Sequence, residues 1–135
     1  MWKPLFDRGD GTFVGLGSAS GLWVGGPGGE PKPVDLANPV FLWALLERPI
    51  EDVHGQLDEH WEEFRLAGSP TGVLRDVAVS AVRSGRDYWV TLGITWLEQM
   101  LSRDTEPVLR RQDVPDCKTD QMSQRNRHRW NRLAG

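Results

Sequence analysis

The chain reads as mainly α: a small helical domain of three to four helices with an N-terminal glycine-rich β-hairpin and a flexible basic C-terminal tail. Three observations predict this. Nine of the fifteen glycines and four of the nine prolines fall in residues 1–38, a composition that breaks helices and favours turns. Between residues 39 and 103 apolar residues recur at three- and four-residue spacing, the period of a helix with one buried face. Beyond Pro107 that period stops and the charge changes sign: residues 1–107 hold 9 Lys+Arg against 16 Asp+Glu, residues 108–135 hold 7 against 3. The expected organisation is a single globular domain over 1–107, with hairpin and loop in 1–38 and helices in 39–103, then a disordered basic tail over 108–135.

In the front segment, Thr12–Leu16 and Gly21–Gly25 are short aromatic and β-branched runs separated by Gly17-Ser18-Ala19-Ser20, the pattern of a hairpin. Residues 25–33, rich in Gly and Pro, are expected to form a loop. Asn38-Pro39 is a helix start, with Asn as N-cap and Pro where its missing N–H costs nothing. That helix runs to about Glu47. From Ile50 a second helix places Ile50, Val53, Leu57, Trp61 and Phe64 on one stripe and closes at Gly68. Ser69-Pro70-Thr71-Gly72 opens a third, which Ser84-Gly85 ends. A fourth runs from Asp87 to about Arg103 and is apolar nearly all round, with Gly93 marking a close helix crossing. The last three helices begin with acid and end with arginine, as the helix dipole favours.

The lone cysteine, Cys117, excludes an internal disulfide framework and suits a reducing compartment. The N-terminus lacks an apolar signal core, and the longest apolar run, Val40–Leu46, is too short to cross a bilayer. A cytoplasmic protein without membrane association is the expectation.

The residues give no catalytic, cofactor or metal signature. The glycines between Gly15 and Val24 do not open a helix, as a phosphate loop must. Arg8-Gly9-Asp10 reads as a turn, and Asp7 and Asp10 lack the alternating carboxylates of a calcium loop. His54 and Asp58, four residues apart with Glu51 and Glu62 nearby, have too few His or Cys partners for zinc. No serine sits in a nucleophile elbow.

Charge and aromatic placement remain. Residues 50–66 carry Glu51, Asp52, Asp58, Glu59, Glu62 and Glu63 against Arg65 alone, a surface suited to a cationic partner. Trp43, Trp61, Trp89 and Trp96 fall at inward helix positions, which leaves Trp2, Trp23 and Trp130 as interface candidates. The first reading is therefore a non-enzymatic protein-interaction module for a basic protein partner, in its most concrete form an inhibitor or immunity-type protein. Its contact residues are Glu51, Asp58, Glu59, Glu62 and Glu63, with exposed Trp23 as anchor. The second reading is a nucleic-acid-associated protein whose tail binds through Arg125, Arg127, Arg129 and Arg132 while Trp130 stacks on a base. A small enzyme is the third. An internal alternative for the tail is that it folds back on the acidic helix and neutralises it.

Overall fold

The computed structural model describes residues 2–17, 21–26, 29–34, 40–66, 70–103 and 119–134. Four strands come first: β1 (Trp2–Asp7), β2 (Phe13–Gly17), β3 (Gly21–Gly26) and β4 (Gly29–Pro33). They form one antiparallel sheet in the order β1-β2-β3-β4. The hairpin expected from residues 12–25 is its central pair, with Val14 opposite Val24 and Leu16 opposite Leu22. The mainly-α reading is corrected by the two flanking strands, because the helices share the core with a complete sheet.

Proline explains why β4 escapes notice in the sequence. A strand needs an N–H only on the side where it has a neighbour, so an edge strand tolerates proline on its open side. The Val34 N–H donates to the Leu22 carbonyl at 2.9 Å, which aims the even-numbered nitrogens at β3. Pro31 and Pro33 then present their nitrogens outward. Proline also marks the opposite edge: β1 contains Pro4, and its register with β2 shifts between Pro4 and Phe6. Such breaks protect exposed edges from pairing with other chains.

One face of the sheet carries Phe6, Val14, Leu16 and Leu22, all at most 1% exposed, into the same core as the helices. The other face explains much of the glycine. The Trp23 indole lies over Gly17, where an added Cβ would come within 2.4 Å of the ring, and Trp2 covers Gly25 in the same way. The glycines of β2 and β3 therefore serve as floors for indole rings as well as turn formers.

Residues Val40–Glu47 form a 3-10 helix rather than the expected α-helix. Its tighter turn stacks Leu42 on Leu45 and Trp43 on Leu46, all four buried, at three-residue spacing. The proposed caps Asn38 and Pro39 lie outside the described residues. Helix α1 (Ile50–Trp61) starts after Pro49, which offers no side-chain cap, and places Glu51 and Asp52 in the first turn where the dipole favours acid. Its expected stripe is inside: Ile50, Val53, Leu57, Trp61 and Phe64 are at most 6% exposed.

The helix closes earlier than Gly68, which lies outside the described residues. Arg65 takes the left-handed conformation at φ 53°. Its N–H reaches the Glu62 carbonyl, and the Leu66 N–H reaches that of Trp61. These are the two bonds of a Schellman cap, with arginine where glycine is usual. Leu66 packs on the core, supplying the hydrophobic contact that accompanies such caps.

Helices α2 (Pro70–Arg83) and α3 (Asp87–Arg103) pack closely on each other. Gly93 is the expected close crossing: a Cβ there would lie 2.7 Å from the Ala78 carbonyl oxygen and 3.1 Å from Val82 Cγ2. Buried indoles find polar partners across elements. Trp43 Nε1 donates to Ser80 Oγ at 2.9 Å, and Trp96 Nε1 to the Arg48 carbonyl at 3.0 Å. Trp61 is buried as expected, whereas Trp89 is only partly buried.

The flexible-tail reading is corrected for residues 119–134. A 3-10 turn (Thr119–Gln121) leads into α4 (Gln124–Ala134), which docks on α3. The Pro107 boundary lies outside the described residues.

Candidate functional site

Burial of Ile50, Val53, Leu57 and Trp61 sends Glu51, Asp52, Gly55, Gln56 and Glu59 to the outer side of α1, because successive residues turn by about 100°. There they line a groove of about 390 Å³ together with Arg48 and Pro49. Gly55 makes the concavity: it has no side chain, and nothing lies within 4 Å of where a Cβ would be. Glu51 and Glu59 stand one turn to either side of it.

Arg48 borders the groove, but its guanidinium is engaged elsewhere. Nη2 donates to the Asp7 carbonyl at 2.8 Å, and the group lies 5.6 Å from the centre of the Phe6 ring. Glu51, Asp52 and Glu59 are exposed and form no ion pair among the described residues. The groove therefore offers a cation three carboxylates that have no ion-pair partner among the described residues, with the Arg48 guanidinium turned to Asp7 and Phe6 at its border.

Of the expected acidic contact residues, the structure brings Glu51 and Glu59 together in this groove. Asp58 is exposed outside it. Glu62 and Glu63 lie in the turn that follows α1, where Glu63 Oε2 sits 3.0 Å from His60 Nδ1. The expected contact set omitted Asp52, Gly55 and Gln56. The spacing Glu51-Gly55-Glu59 was visible in the sequence as a signal for a notched acidic stripe.

Trp23 is half-buried rather than exposed. Its ring lies on Gly17, and its Nε1 is buried without a hydrogen-bond partner among the described residues. Only part of the indole remains available as an anchor.

The basic tail residues divide into two groups. Trp130 is 1% exposed, so the base-stacking role is corrected: its ring is core. Arg129 is held by α3, with Nη2 2.6 Å from Glu98 Oε1, Nε 3.3 Å from Glu98 Oε2, and Nη2 also donating to Thr95 Oγ1 at 2.9 Å. Asn126, 2% exposed, donates from Nδ2 to Asp87 Oδ1 and Thr91 Oγ1, both at 2.9 Å. The docking on α3 also redirects the internal alternative, since Glu98 of α3 rather than the acidic α1 receives the ion pair. Arg127 is exposed but donates to the Thr119 and Met122 carbonyls, which ties α4 to the preceding turn. Arg125, His128 and Arg132 are exposed.

His54, weighed above as a metal ligand, has Nε2 3.2 Å from Thr71 Oγ1 and so links α1 to α2. Among the described residues no three His, Cys, Asp or Glu side chains gather as a metal site would require. Arg8-Gly9-Asp10 is a turn between β1 and β2. There the Thr12 hydroxyl, then its backbone N–H, hold the Asp10 carboxyl below its ordinary range. Tyr88 donates to Glu47 Oε2 at 2.7 Å, and that bond raises the phenol above its ordinary range. No helix among the described residues is long and apolar enough to cross a membrane. The chain matches no family model, no curated protein and no solved structure.

Proposed function

We propose that this protein is a non-enzymatic interaction module that receives a cationic segment of a protein partner on the outer face of α1. The observation that supports this reading is the groove in which Glu51, Asp52 and Glu59 surround the bare helix surface at Gly55. An arginine or lysine lying against Gly55 would meet a carboxylate on either side. Charged-group hydrogen bonds of this kind contribute about 1.5–3 kcal/mol each when partly desolvated, and the surrounding field speeds encounter more than it deepens affinity. An inhibitor or immunity-type protein that neutralises a basic partner is the concrete form.

The test is comparative capture from the native host at two ionic strengths. Wild-type protein should enrich a basic protein in a salt-sensitive manner. The double reversal E51K/E59K should lose it while remaining folded, with a melting point lowered only by the loss of Glu51 from the first turn of α1, and D58K, outside the groove, should retain it. Equal capture by E51K/E59K and wild type would exclude the groove.

A further inference from the structure

A second surface arises where α4 docks. Burial of Asn126 and Trp130 against α3 fixes the rotation of this helix, and so fixes which residues face outward. Gln124, Arg125, His128, Asn131 and Arg132 are all exposed. Arg125, His128 and Arg132 follow one another at three- and four-residue spacing and therefore form a single stripe. Residues 124–134 contain four arginines and no acid. Glu98 is taken by Arg129, and neither Arg125 nor Arg132 has an ion pair among the described residues.

From this we infer that the outer face of α4 contacts the phosphodiester backbone of a nucleic acid. Two features favour that partner over an acidic protein. Protein interfaces draw most of their energy from a few hot spots enriched in Trp, Tyr and Arg that sit in well-packed, desolvated pockets, and this face offers arginines with no apolar surround to desolvate them: Trp130 and Met122 are buried and Leu133 is packed on the core. Nucleic-acid interfaces are instead polar and positively charged, which suits two guanidinium forks flanked by the amides of Gln124 and Asn131. With Trp130 unavailable for stacking, recognition is of the backbone and carries little sequence information.

This proposal is independent of the acidic groove and predicts modest binding that weakens with salt, because only two arginines are engaged and the whole chain has a formal charge of −3. The experiment is fluorescence anisotropy of the full-length protein with labelled duplex DNA and with single-stranded RNA of equal length, across a salt series. Binding should weaken with salt along a log–log slope of about −1.8 for the duplex or about −1.4 for the single strand, as two phosphate contacts require. R125Q/R132Q should lower affinity at least about tenfold and bring the slope towards zero, with an unchanged melting curve because both sites are exposed. E51K/E59K should bind at least as well as wild type, which separates this surface from the groove. The inference is overturned by absence of binding to both probes at low salt, by wild-type affinity in R125Q/R132Q, or by equal competition from polyglutamate. The last result would assign the face to an acidic protein.

Discussion

Arg129 and Glu98 meet in a two-pronged ion pair, with Nη2 2.6 Å from Oε1 and Nε 3.3 Å from Oε2. The guanidinium side is only 12% exposed, so this pair is better shielded than an ordinary surface bridge. It is the electrostatic half of the α4 docking, and Trp130 is the apolar half.

Arg129→Ala should therefore destabilise the protein by about 1–2 kcal/mol, above the ordinary value of an exposed pair because the geometry is bidentate and partly buried. Arg132→Ala, on the exposed face, should change stability by less than about 0.5 kcal/mol. Urea denaturation of the two variants side by side checks both values.

Trp130→Ala should cost about 3–5 kcal/mol, as removal of a buried aromatic does. Because α4 is attached chiefly to α3, the expected signature is early loss of amide protection in residues 124–134 relative to α2 and α3. Hydrogen exchange read by mass spectrometry resolves that order. Uniform protection across the chain would show α4 to be an integral part of one cooperative unit.

Gly93→Ala opposes two effects. Alanine is the better helix former by about 1 kcal/mol, but its Cβ would press within 2.7 Å of the Ala78 carbonyl. Backbone cannot swing aside as a side chain can, so overpacking should prevail with a net loss of about 1–2 kcal/mol. A lowered thermal midpoint is the readout, with Gly55→Ala, where the space is open, as the stabilising counterpart.

Arg65→Gly should raise stability by about 1 kcal/mol, since it removes the Cβ from a left-handed residue while the cap bonds to Glu62 and Trp61 are backbone bonds that glycine can make. A rise in the denaturant midpoint at constant slope would confirm it.

Tyr88 is the only tyrosine in the chain, so its ionisation can be followed by ultraviolet absorbance. The Glu47 bond stabilises the protonated phenol and raises its folded-state value. The associated stability is thus fully present below the phenol's ordinary value and is lost as pH climbs through the raised one. Glu47→Gln removes the charge and should shift the titration downward. An unchanged curve would show that the bond does not persist in solution.

The sequence by itself determined the helical boundaries where periodicity and punctuation agree. Pro70 and Asp87 open α2 and α3, and the stripe from Ile50 to Phe64 is inside, because burial of one face imposes the same spacing on any such helix. The spacing Glu51-Gly55-Glu59 is written in the sequence, but the contact residues expected from it left Gly55 out, and the groove also needed Arg48 and Pro49 beside the helix. Tertiary structure decided what local pattern cannot express. Residues 29–33 became a strand only because β3 was there to pair with one side of them, leaving both proline nitrogens on the open edge. The 3-10 geometry of residues 40–47 likewise accompanies burial of their side chains in the shared core. In α4, composition counted four arginines and a tryptophan as one surface. Docking on α3 divided them, because burying Trp130 and Asn126 is what fixes the helix's rotation and determines which arginines reach solvent.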